Sequence, residues 1–156
     1  MLSEAFELCE DGNYLEAIKL YTQVLKKDPK NIKALIDKAV TLQNIGKVKQ
    51  AISLYNKALK IEPNNLDALV NKGSALHTIE SYHEAISCYD KATKIDKKCA
   101  MALAYKGLSL GELGNLKEAI KHFKNALDID KDYDLANISK QMAQDLLKKS
   151  EKTKTH

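Results

Sequence analysis

The sequence predicts an all-α solenoid built from tandem helix-turn-helix units, and three observations carry that prediction. An alanine recurs at a fixed interval of 34 residues, an aromatic follows each of those alanines by four residues, and proline and glycine gather at the joints between helical stretches. At 156 residues the chain suits one compact domain and is short for two. Two prolines, Pro29 and Pro63, and six glycines leave a composition that favours helices.

The second helix of each unit carries the register. Glu16-Ala17-Ile18, Gln50-Ala51-Ile52, Glu84-Ala85-Ile86 and Glu118-Ala119-Ile120 set Ala at 17, 51, 85 and 119 without insertion or deletion. Tyr21, Tyr55, Tyr89 and Phe123 follow four residues later, and Val24, Ala58, Ala92 and Ala126 three beyond those. Large and small side chains therefore alternate along one helical face. The first helix supplies the complement: Ala5, Ala39, Gly73 and Gly107 lie twelve residues before the central alanines, each followed by a leucine at 8, 42, 76 or 110. A small residue lets the neighbouring helix come close, and the aromatic fills the space beside it.

Between the two helices, Gly12, Gly46 and Gly114 stand where the first helix must end in a left-handed residue, with Glu80 the departure. Asn13, Ser81 and Asn115 come next, each with Glu three residues on, the spacing of a capping box; Lys47 with Gln50 is a poorer version. Pro29 and Pro63 then stop the second helix, since Pro cannot continue one. Lys97 and Lys131 replace them in the last two units, so those junctions are expected to be looser. Beyond the fourth unit Leu135, Ile138, Met142 and Leu146 form an apolar stripe on a helix expected over 134–149, whose role would be to cover the last repeat. Residues 150–156 read as a polar, disordered tail.

These features resemble the tetratricopeptide repeat family, whose 34-residue unit has small residues at its eighth, twentieth and twenty-seventh places. The resemblance spans 1–149 as a single domain, with repeats at 1–31, 32–65, 66–99 and 100–133 and the capping helix after them. It implies a right-handed superhelical solenoid whose first helices line a groove for a protein partner. Leu at 35, 69 and 103 stands where the family often has Trp.

The chemistry of catalysis is not evident. Cys9, Cys88 and Cys99 lack paired metal or redox spacing, and His77, His83, His122 and His156 stand apart from one another and from carboxylates. Cys9 and His77 share the twelfth place of their repeats, but two repeats of packing would hold them roughly 20 Å apart, too far for proton transfer. No phosphate loop or nucleophile motif appears. The chain is therefore read as no enzyme, with no cofactor and no metal.

Nucleic acid is disfavoured as a partner because all 25 basic residues are Lys, without the guanidinium fork that suits bases and phosphates. Of the net charge of +4, Lys148, Lys149, Lys152 and Lys154 against Glu151 account for +3 near the end of the chain. No stretch is apolar enough to span a bilayer and the first residues show no leader pattern, so the expected setting is cytoplasmic, away from membranes.

By the resemblance, the groove is lined at the second, fifth, ninth, twelfth and thirteenth places of the first helices. The fifth and ninth places read Leu2, Ile36, Val70 and Ala104, then Phe6, Val40, Ser74 and Leu108, and seven of these eight are apolar. Around them stand Lys33, Asp67 and Met101, then Cys9, Gln43, His77 and Gly111, and Asn44 and Glu112 among the thirteenth places. Such a face suits an apolar or amphipathic peptide or helix of another protein, unless the fifth and ninth places are spent packing helix on helix. The alternative is self-association, with the groove or the end face near Met1 covered by a second copy. Family members that grip the carboxylate tail of chaperones use Lys, Asn, Asn, Lys and Arg where this chain offers Leu2, Phe6, Asp37, Asp67 and Asn71, or Ile36, Val40, Asn71, Met101 and Tyr105, the second frame with a single matching Asn. A chaperone tail is thus not the expected partner.

Overall fold

The computed structural model describes residues 1–155, and among them all regular structure is α-helical. In chain order the helices are α1 (Leu2–Glu10), α2 (Tyr14–Lys27), α3 (Ile32–Asn44), α4 (Val48–Ile61), α5 (Leu66–Thr78), α6 (Tyr82–Ile95), α7 (Ala100–Glu112), α8 (Leu116–Ile129) and α9 (Asp134–Lys154). They divide into two compact units, Met1–Ile79 and a second that begins at Glu80, where the sequence suggests a single domain.

In the first unit each helix packs on the next, α1 on α2 through α4 on α5, and α3 also touches α1 and α5. Its core holds Leu35, Ala39, Leu42, Ala51, Tyr55 and Ala58, with Ala68 and Ala75 from α5. Tyr21 lies against Ala5 and Ala17 at the other end of the unit. In the second unit α7 and α8 share the largest interface, flanked by α6 and α9. Phe123, Ala119, Ala126 and Ala104 form its centre with Ala136 and Ala143 of α9. The interlock read from the register is present here in its tightest form. A Cβ on Gly107 would stand 2.6 Å from the Phe123 ring, so only glycine admits that aromatic.

The first-helix ends follow the expected geometry. Gly12, Gly46 and Gly114 have φ of 79°, 82° and 82°, and Glu80 adopts the same left-handed conformation at 63°. The amides after the glycines donate back to Leu8, Leu42 and Leu110 carbonyls at 2.7, 2.8 and 2.9 Å, closing Schellman turns on the leucine that recurs in every first helix.

Four expectations need correction. Asn13, Ser81 and Asn115 make no side-chain cap. The caps lie instead at Asn31 and Asn65, whose Oδ1 atoms accept from the amides of Ala34 and Ala68 at 2.9 Å each. The second helices end at the same point with or without proline. Where Pro is missing, Asp96 and Asp130 accept from the amides of Lys98 and Asp132 at 3.0 and 3.1 Å, and these Asx turns close the junctions. The last helix does not stop at Lys149. Residues 150–154 continue it, because no Gly or Pro interrupts and lysines at its end suit the helix dipole.

The fourth correction concerns the face that α9 presents. Ala136 and Ala143 are buried and Leu147 packs on the core, whereas Ile138 and Met142 are each 61% exposed and Leu146 is 53% exposed. The apolar stripe is therefore left largely uncovered, with Met142 and Leu146 edging a cavity beside the repeat rather than sealing it. The reason lies in the register. Ala34, Ala68, Ala102 and Ala136 recur at 34 residues and all four are fully buried. α9 thus docks as the first helix of a further repeat would, through its third and tenth places, with the stripe at its second, fifth, ninth and thirteenth.

Candidate functional site

The twelfth place of the first helices decides what lies beneath each aromatic. In the first unit Tyr55 donates to Gln43 Oε1 at 3.1 Å, and Gln43 Nε2 donates to Ser74 Oγ at 3.3 Å. A polar bridge thus runs from α4 through α3 to α5. Cys9 stands in the corresponding position one repeat earlier, its Sγ 3.9 Å from Tyr21 Oη and 3.3 Å from Thr41 Oγ1. Burial raises the pKa of Tyr21 and Tyr55 far above the usual phenol range, with Cys9 and Asp37 adding to the effect at Tyr21, so both hydroxyls stay protonated donors.

The fourth repeat breaks this pattern twice. Phe123 has no hydroxyl, and Gly111 has no side chain to meet one; a Cβ at Gly111 would touch nothing within 4 Å. Beside them lies a cavity of about 260 Å³ lined by Gly107, Leu108, Gly111, Glu112, Leu116, Phe123, Ser139, Met142, Ala143 and Leu146. Its walls are apolar apart from Glu112 and Ser139, and the exposed thioether of Met101 lies one turn before Ala104 on the same helix.

The first unit has its own cavity, of about 250 Å³, lined by Phe6, Cys9, Glu10, Tyr14, Tyr21, Asp37, Val40, Thr41 and Asn44. Phe6 is 55% exposed there, but Glu10, Asp37 and Asn44 make the lining mixed. Asp37 is already paired, with Lys33 Nζ at 2.8 Å.

The residues expected to line a groove therefore separate into classes. Ile36, Val70 and Ala104 are buried and serve the core, which is the helix-packing role foreseen as the alternative for the fifth place. Gln43, Ser74 and Cys9 are half-buried in the bridges just described. Leu2, Val40, His77 and Leu108 are half-buried, while Phe6, Lys33, Asn44, Asp67, Met101 and Glu112 are exposed. The cavity brings together Leu108, Gly111 and Glu112, which the sequence reading placed along the groove, with Leu116, Phe123, Met142 and Leu146, which it did not. The signal for the last two was available in the register, since they fall at the ninth and thirteenth places of α9 counted as a further first helix. Among the described residues no group of His, Cys, Asp and Glu is arranged to hold a metal ion, and no helix is long and apolar enough to cross a membrane.

Comparison with known proteins returned family and structural matches. The family model described as the Psidin N-terminal TPR repeats region matches residues 2–105, and the model described as tetratricopeptide repeat matches 100–133. No curated protein sequence matches the chain. Among solved structures, a MamA protein superposes with a TM-score of 0.82 at 25% identity over 92% of this chain and 79% of its own. MamA of Desulfovibrio magneticus RS-1 gives 0.78 at 19% identity over 98% and 92%. The first TPR of Spaghetti (RPAP3), solved bound to the HSP90 peptide SRMEEVD, gives 0.72 at 22% identity over 77% and 95%.

Proposed function

Because the chain belongs to the tetratricopeptide repeat family, an all-α fold of helix-turn-helix repeats that generally serves as a non-enzymatic scaffold for protein partners, we propose that it holds an apolar or amphipathic segment of another protein at the second unit. The observation that carries this reading is the open apolar cavity under Gly111 and Phe123. Its volume of about 260 Å³ accepts one large aliphatic or aromatic side chain, whose burial contributes about 1.5–3 kcal/mol. Met142 and Leu146, exposed at its edge, offer apolar walls to the residue one turn from such an anchor. Glu112 at the margin would pair with a basic residue of the segment or bond a backbone amide. Recognition by an anchor in a pocket, with a polar rim, is the helix-in-groove mode.

The test is to pan a display library of amphipathic 16-residue peptides against the whole chain, then titrate the selected peptide into the parent and into Gly111→Leu. Gly111 lines the cavity and a Cβ there meets nothing within 4 Å, so leucine at 111 is expected to project into it. Selected peptides should share one large apolar residue and lose about tenfold or more in affinity on Gly111→Leu, the scale of one buried side chain. Equal affinity for both proteins would sink this reading.

A further inference from the structure

The outward stripe of α9 lies partly outside the cavity, since Ile138 does not line it, and it has no occupant within the second unit. The helix's other face is already committed through Ala136, Ala143 and Leu147. We propose that this face is covered by the α9 of a second copy of the chain, the two helices running antiparallel about a two-fold axis near Met142. This does not rest on the peptide-binding reading and competes with it, since Met142 and Leu146 also line the cavity and a second copy there would exclude the peptide.

Charge is what selects the occupant. Asp130, Asp132 and Asp134 gather at the start of α9, all exposed, with Lys131 their one opposing charge. At the far end Lys148, Lys149, Lys152 and Lys154 are exposed, offset by Glu151 alone. The apolar residues lie between these ends. Twenty-one residues of helix make a rod of about 32 Å, so the two ends are several Debye lengths apart at physiological salt and act as separate poles. An antiparallel neighbour of the same sequence reverses the poles: its basic end meets the acidic end of the first helix, and the converse happens at the other end of the axis. Ile138 of one copy then opposes Leu146 of the other, Met142 meets its counterpart, and Leu135 lies under the methylene stem of Lys149. Each contact occurs twice, as an isologous interface requires. A parallel pair would instead bring like charges together at both ends, which disfavours it. Of the possible occupants, α9 itself carries both halves of this complementarity.

Sedimentation equilibrium on the full chain tests the proposal. A monomer–dimer equilibrium is expected that weakens by about tenfold between low and high salt, since the pole-to-pole attraction is exposed to screening. Ile138→Glu, on a side chain that is mostly exposed, should leave the helical circular dichroism unchanged and abolish the dimer. Gly111→Leu should leave the dimer intact, which keeps a failure of this proposal separate from a failure of the peptide reading. The decisive arm uses two charge variants, one with Lys148, Lys149 and Lys152 changed to Glu and one with Asp132 and Asp134 changed to Lys, which spares the Asx turn at Asp130. Each alone should stay monomeric, and their mixture should dimerise. A chain that is monomeric at every concentration overturns the proposal, whether or not α9 then binds an anionic vesicle or a foreign peptide. So does a dimer indifferent to Ile138→Glu, or a mixture of the charge variants that fails to associate.

Discussion

Tyr55 shows how much one side chain does in this molecule. It is fully buried between alanines, and its hydroxyl begins the bridge through Gln43 to Ser74. Tyr55→Ala should destabilise the protein by about 3–5 kcal/mol, because the cavity left between small residues cannot collapse. Tyr55→Phe should cost only about 1 kcal/mol, since Gln43 keeps its contact with Ser74. Thermal or urea melts distinguish the two, and equal losses would mean the bridge rather than the ring sets stability. The glycines of α7 make a second contrast. Gly107→Ala must push a Cβ into the Phe123 ring, whereas Gly111→Ala enters open space. The first should destabilise, and the second should raise stability by about 0.5–1 kcal/mol through helix propensity. The sequence displays both glycines alike as small residues on a first helix. That one is an interlock and the other the floor of a cavity depends on what lies opposite, which single-chain spacing does not express.

Among elements, α9 has the most to explain. Its buried face completes the core of Phe123, Ala119 and Ala126, so truncation after Tyr133 should loosen α7 and α8 first, the nearest neighbours in a repeat array. Hydrogen exchange on the truncated chain reads this directly, with protection lost in α7 and α8 while α3 and α4 keep theirs; uniform protection would deny α9 a structural part. The existence of every helix was legible, because 34-residue repetition fixes where each small and large residue falls, but the end of α9 lies beyond the repeats and was placed five residues short. The orientation of α9 was not legible. Its most conspicuous periodicity belongs to the exposed stripe, while the face that docks is marked only by Ala136 and Ala143, two small residues that carry little hydropathy but allow close approach. The caps were misjudged for a related reason. Asn13 and Asn115 have the capping-box spacing, yet their backbones sit at ψ near 60°, where the side chain does not reach the amide three residues on, while Asn31 and Asn65 have the extended backbone that permits it.

At the scale of the molecule, the repeats share one frame but differ in what they show to a partner. The Spaghetti domain was solved with an HSP90 peptide, and this chain shares its fold. Where the family resemblance would put a clamp's Lys and Asn, Ile36 is buried and Asp37 is an acid held by Lys33. Calorimetric titration with SRMEEVD should therefore give no binding at micromolar concentration, since an acidic tail would lose hydration without gaining a cation. Heat release there would favour the charged reading over the apolar one. The partner-facing chemistry was only half legible: the apolar bias of the first helices was plain, but burial takes Ile36, Val70 and Ala104 out of the exposed face, and the cavity draws Met142 and Leu146 from a helix read as a cap. The register itself has a further consequence at α9. Asn137, Gln141 and Gln144 stand 34 residues after Leu103, Gly107 and Leu110, on the side where a first helix would receive its own second helix. Three polar letters thus end the array, as a full stop ends a sentence. Whole 34-residue cassettes could be inserted or excised upstream by gene duplication and the chain would still close correctly, so its length is free to evolve separately from its ending.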